Sequence, residues 1–99
     1  MQKQLKILVI RFSSIGDIIL TTPLVRCLKL QTNSKVHYLT KKKYKSLLYN
    51  NDYIDQLFLL DNNFNFLLKQ LEHEGYDYVI DLHNNLRTKY LKLKLNIKS

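Results

Sequence analysis

The sequence predicts an α/β fold, a parallel sheet with helices on both faces. Three observations carry that expectation. Short apolar, β-branched runs alternate with stretches whose apolar residues recur at helical spacing, the pattern of βαβ units. Hydrophobic residues make up 45 % of the 99 residues, enough for a packed core. Two Gly and one Pro leave little material for a flexible linker, so residues 1–99 read as one unit without an internal boundary.

Each element follows from its residues. Residues 5–10, Leu-Lys-Ile-Leu-Val-Ile, form a nearly continuous apolar run and read as a buried central strand. Residues 12–17 then read as a polar turn. Helical spacing runs from Ile18 to about Gln31, with Pro23 either kinking that helix or restarting it behind a Thr21 or Thr22 cap. Residues 32–34 turn the chain into a second strand at 35–40. Residues 41–49 predict a short basic helix with Tyr44, Leu47 and Leu48 on one side, and Asn50, Asn51 and Asp52 end it. A third strand is expected at 56–60. Asp61 and Asn62 are expected to cap a helix over 64–74, whose Phe64, Leu67, Leu68 and Leu71 stand at i, i+3, i+4 and i+7. Gly75 stops it. A fourth strand at 76–82, a turn at 83–85 and a helix over 86–93 complete the pattern. Alternation at 93–97 reads as the start of a fifth strand.

Composition limits the function classes. A single Cys, Cys27, excludes a disulfide scaffold and a multi-Cys zinc site. Flanked by Leu24 and Leu28, it reads as a core thiol in a reducing compartment. No run of 18 apolar residues exists, so no membrane span is expected. The first apolar run is broken by Arg11 with no small-residue cleavage site after it, which argues against a signal peptide and for a cytoplasmic protein. The net charge of +8, carried mostly by Lys, attracts nucleic acid, an anionic membrane surface or an anionic substrate alike. The same charge also serves as a solvating surface.

Chemistry in such a sheet gathers outside the carboxyl ends of the strands, where strand order reverses. The first strand ends in Arg11-Phe12-Ser13-Ser14-Ile15-Gly16-Asp17. Ser13 and Ser14 supply hydroxyls, and Gly16 permits a tight turn and close approach. Asp17 falls at a helix N-terminus, where a carboxylate stays ionised and can accept a proton from a hydroxyl. It equally suits a plain helix cap. Neither G-x-G-x-x-G nor G-x-x-x-x-G-K-[ST] is present, which argues against dinucleotide binding and P-loop chemistry. The fourth strand ends in Asp81-Leu82-His83-Asn84-Asn85-Leu86-Arg87. Arg87 can pair with phosphate or carboxylate, or simply be solvated beside an Asn85 cap. His37, His73 and His83 show no metal-ligand spacing. Lys41, Lys42 and Lys43 form a basic run that is either a solvated helix start or an anion contact.

Residues 6–24, with the strand, then S-S-I-G-D, then T-T-P-L, resemble the amino-terminal signature of glycosyltransferase family 9, which includes the ADP-heptose:lipopolysaccharide heptosyltransferases. Residues 76–88, a strand ending in D-L-H-N-N-L-R-T, resemble that family's second landmark. The resemblance spans nearly the whole chain. It implies a GT-B architecture of two Rossmann-like domains, of which this chain is an incomplete amino-terminal, acceptor-side domain without the donor-binding one. It further implies inverting transfer without metal or other cofactor. Asp17 is then the general base. Ser13, Ser14, Gly16, His83, Asn84 and Arg87 bind substrate. The implied partners are an ADP-heptose-like nucleotide-sugar donor and a lipid A–Kdo or inner-core acceptor of lipopolysaccharide. Location would be cytoplasmic, with possible peripheral association at the inner membrane, and no nucleic acid is expected. On this reading the 99 residues alone are inactive. The alternative is a non-catalytic flavodoxin-like module that binds nucleic acid or anionic membrane through Lys41, Lys42, Lys43 and Lys45. A third reading is a truncated gene product without activity.

Overall fold

The computed structural model describes residues 4–83. Four parallel strands, β1 (Lys6–Ile10), β2 (Lys35–Lys41), β3 (Gln56–Leu60) and β4 (Tyr78–Asp81), stand in the order β3-β2-β1-β4. The helices are α1 (Ile15–Leu20), α2 (Thr22–Thr32), α3 (Lys45–Leu48) and α4 (Phe64–Glu74). The expected Rossmann-like α/β arrangement is therefore present. The helix expected over 86–93 and the fifth strand expected at 93–97 lie outside the described residues.

β1 is central because both its faces are apolar. Leu8 and Ile10 point with Phe12 into a cluster built with Leu39, Phe58 and Val79 and covered by Leu67, Leu68 and Leu71 of α4. Val9 points the other way, to Val36, Tyr38, Ile18 of α1, Val25 of α2 and Leu48 of α3. Period two on the strands thus meets period 3.6 on the helices, and helices cover both faces. Full burial of a side chain such as Leu71 is worth about 1.5–3 kcal/mol.

Local differences from the sequence reading have physical causes. α1 begins at Ile15, so Gly16 and Asp17 are helical and the turn is only residues 11–14. Ser14 is its N-cap and Asp17 its third residue, a capping box that closes the first turn. Thr21 separates α1 from α2. Its hydroxyl donates to Ile18 O at 2.6 Å and lies 2.7 Å from the Tyr38 hydroxyl, while Pro23 occupies the first turn of α2, where a missing N–H costs nothing. The basic segment divides into a 3-10 turn at Lys42–Tyr44 and the four-residue α3. Asn63, not Asp61 or Asn62, caps α4, its side chain accepting from Phe66 N at 2.9 Å. Gly75 ends α4 at φ 67°, the left-handed conformation that favours glycine. Cys27, expected in the core, is exposed: Val25 takes the inward position, and two residues further turns a helical side chain by about 200°. No helix among the described residues is long and apolar enough to cross a membrane.

Candidate active site

The chain leaves β1 toward β2 and β3 on one side, then returns to place β4 on the other. Strand order therefore reverses between β1 and β4, and the carboxyl ends of these two strands flank the point where open α/β sheets bind ligands. The ladder continues past both strands, with Leu82 N donating to Ile10 O at 2.9 Å and Arg11 N to Leu39 O at 3.2 Å.

Arg11 joins these ends. Its Nε donates to Ser13 O, its Nη1 to Leu82 O and its Nη2 to Asp17 Oδ2 at 2.9 Å. One guanidinium fork thus ties β1, the following turn, α1 and the end of β4. Asp17 Oδ2 also accepts from Ser14 Oγ at 2.9 Å and from Ser14 N at 3.4 Å. Ser14's hydroxyl and amide, then Arg11's charge, hold the Asp17 carboxyl below the usual carboxylate range. The side chain remains half exposed, so it is charged and reachable. Arg11 and Asp17 line an open recess of about 320 Å³ together with Leu20, Thr21, Leu24 and Leu82.

Among the expected site residues, Asp17 lines this recess, Ser14 bonds to Asp17, Ser13 is bonded through its carbonyl to Arg11, and His83 packs against Phe12. The Ser13–Ser14 peptide is cis. His83 Nδ1 accepts from Phe12 N at 3.4 Å, and the two rings lie 5.1 Å apart at 57°. His83 N donates to Asp81 Oδ1 at 2.9 Å, which holds the end of β4 in its bend. Asn84 and Arg87 lie outside the described residues. Gly16 does not make the tight turn expected of it. It sits in the first turn of α1, and a Cβ built there would meet nothing within 4 Å. Lys41, Lys42 and Lys43 line a separate recess of about 320 Å³ with Leu60, Asp61 and Asn62, at the ends of β2 and β3. Lys42 reaches Asp61 at 3.4 Å with both side chains exposed. Among the described residues no group of three or more His, Cys, Asp or Glu is placed to hold a metal ion.

Nothing in the sequence marks Arg11 for this role. Its partner Leu82 O is 71 residues away, and no spacing along the chain signals such a contact.

No family model and no curated protein matches the chain. Solved structures do. The chain aligns with the glycosyl transferase family 9 protein from Veillonella parvula DSM 2008 at TM-score 0.84 and 30 % identity, over 98 % of its own length and 31 % of that chain. The match is to glycosyltransferase family 9. The E. coli ADP-heptose lps heptosyltransferase II aligns at TM-score 0.80 and 22 % identity, over 94 % of this chain and 29 % of that one. At that lower identity the likeness is one of fold. The chain spans 31 % and 29 % of the lengths of these two structures, and over that span it shares the Rossmann-like sheet of the family 9 neighbour.

Proposed function

We propose that this chain is the acceptor-side portion of a family 9 glycosyltransferase. The longer protein transfers a heptose or related sugar from a nucleotide-sugar donor to the inner core of lipopolysaccharide, with inversion and without metal. One observation carries the reading: an ionised, half-exposed Asp17 lines a recess at the switch point of a fold shared with the family 9 neighbour.

In the proposed step an acceptor hydroxyl enters the recess and gives its proton to Asp17. Its oxygen bonds to the anomeric carbon as the bond to the donor's diphosphate breaks, and the diphosphate leaves with the electron pair. Ser14 holds Asp17 in place, Ser13 and Gly16 flank these two along the chain, and His83, Asn84 and Arg87, which follow β4 in the sequence, would contact the acceptor. Holding donor and acceptor in line can supply about 7–11 kcal/mol of the barrier. A second domain would hold the donor, so these 99 residues alone would not turn over. The protein would act in the cytoplasm, at the inner face of the inner membrane where its lipid-linked acceptor resides.

The test is Asp17→Asn in the full-length protein with an ADP-heptose donor and a Kdo-bearing acceptor. Loss of the base is expected to lower kcat by about 10²–10⁴-fold. Wild-type turnover would refute the assignment. Far-UV circular dichroism before and after melting separates lost chemistry from a lost helix cap.

A further inference from the structure

All three hydrogen bonds that Asp17 receives fall on one oxygen. Arg11 Nη2, Ser14 Oγ and Ser14 N converge on Oδ2 at 2.9, 2.9 and 3.4 Å. Among the described residues no donor reaches Oδ1. Arg11 is itself fixed by two backbone carbonyls, Ser13 O and Leu82 O, and is mostly buried, so its third arm has little freedom. The two carboxylate oxygens are thus unequal: one is anchored by the protein, and the other has its lone pairs open while the side chain faces a recess.

Resting on the reading of Asp17 as the base, we infer that Oδ1 is the atom that takes the acceptor's proton and that Arg11 is the positioning residue that presents it. An acid–base group works when held within hydrogen-bond reach of the proton it moves. An exposed Asp alone samples several rotamers, whereas three donors on Oδ2 select one. The guanidinium also keeps the carboxylate ionised before transfer. After transfer Asp17 is neutral and loses its charge-assisted bond to Arg11, which favours release of the proton to water and resets the site. Because Arg11 also grips Leu82 O, the end of β4 and the carboxylate of α1 are placed by the same side chain. The end of β4 and the proton-accepting atom are thereby held in one register.

Two measurements test this. In the 99-residue chain, the Asp17 carboxyl carbon is followed by NMR across acid pH. Arg11→Gln is expected to raise its titration midpoint, and Arg11→Lys to raise it less. In the full-length protein Arg11→Gln is expected to lower kcat about 10²-fold, the scale of a misplacement of about 1 Å, with KM little changed. The acid limb of the kcat/KM profile should move to higher pH, and Arg11→Lys should restore part of the rate. A purely structural role would lower the melting temperature without moving that limb. If Arg11→Gln does not fold, Ser14→Ala removes one bond from Oδ2 and should move the midpoint in the same direction. An unmoved midpoint in whichever variant folds, or wild-type kcat in Arg11→Gln while Asp17→Asn is inactive, would overturn the role of Arg11 alone. Full turnover in Asp17→Asn would instead overturn the base reading beneath it.

Discussion

His37 and Tyr76 form a buried pair at the amino-terminal end of the sheet, with Nδ1 2.8 Å from the Tyr76 hydroxyl and the rings edge to face at 85°. Burial holds the imidazole below its ordinary value of 6.5. Glu74, 3.8 Å away, pulls in the opposite direction, and Lys6, which pairs with Glu74, adds to the lowering. The folded state therefore binds fewer protons than the unfolded state just below pH 6.5, so stability rises with pH through that window and is lost as pH falls. Chemical denaturation at a series of pH values between 7 and 5 should show a declining midpoint. His37→Gln should flatten that decline.

Asp55 connects three parts of the same amino-terminal end. It pairs with Lys29 of α2 at 2.7 Å and accepts from Val36 N of β2 at 2.7 Å, just before β3 begins. Burial pushes its carboxyl up, but Lys29's hydrogen bonds, the Val36 amide and the Lys29 charge outweigh this and leave it lowered. Its contribution is present above the ordinary value of 3.8 and is lost as pH falls through the lowered one. Asp55→Ala should cost about 1–3 kcal/mol at neutral pH, since it strands the Val36 N–H and a charge-assisted bond. A denaturation midpoint equal to wild type would show that water replaces the carboxylate.

Gly16 separates stability from function. Its backbone is helical and nothing in the described protein fills the space of a Cβ. Gly16→Ala should therefore stabilise by about 0.4–1 kcal/mol through the unfolded chain. If the acceptor approaches the backbone here, the same change should raise KM in the full-length protein. A gain in melting temperature with KM unchanged would remove Gly16 from the binding surface.

The lysines at the ends of β2 and β3 distinguish the two functional readings. A non-catalytic nucleic-acid module would bind a random oligonucleotide with a steep salt dependence carried by Lys41, Lys42, Lys43 and Lys45. The transferase reading expects no retention of that oligonucleotide at low salt. It also expects Lys42→Gln with Lys43→Gln to raise KM for a phosphorylated acceptor while leaving kcat nearly unchanged. Fluorescence anisotropy and steady-state kinetics read the two outcomes.

The order of elements was legible because each strand and helix carries its own apolar period. The site was legible in part. Ser13, Ser14, Asp17 and His83 stand out in the sequence from strand ends and turn chemistry. The start of α1 was not, because Gly16 and Asp17 look like turn residues. The spacing Ser14-x-x-Asp17 is the capping-box signal that places them in the first turn. Three consecutive side chains, Asp61, Asn62 and Asn63, compete for the cap of α4. Only Asn63 stands three residues before Phe66, whose amide it takes. Arg11 illustrates what a sequence hides: its role arises from a carbonyl that the fold delivers from the far end of the chain.

The strand that leads into Arg11 has consequences for endurance as well as placement. Leu8, Val9 and Ile10 have no accessible surface and are flanked by paired strands on both sides. Their amides should exchange with deuterium only through opening of the whole molecule. The carboxylate is anchored a few residues beyond that segment, so it inherits the lifetime of the slowest-opening part of the protein while α1 keeps one face in water. A lesion along β1 would therefore weaken the reacting geometry and the global stability together.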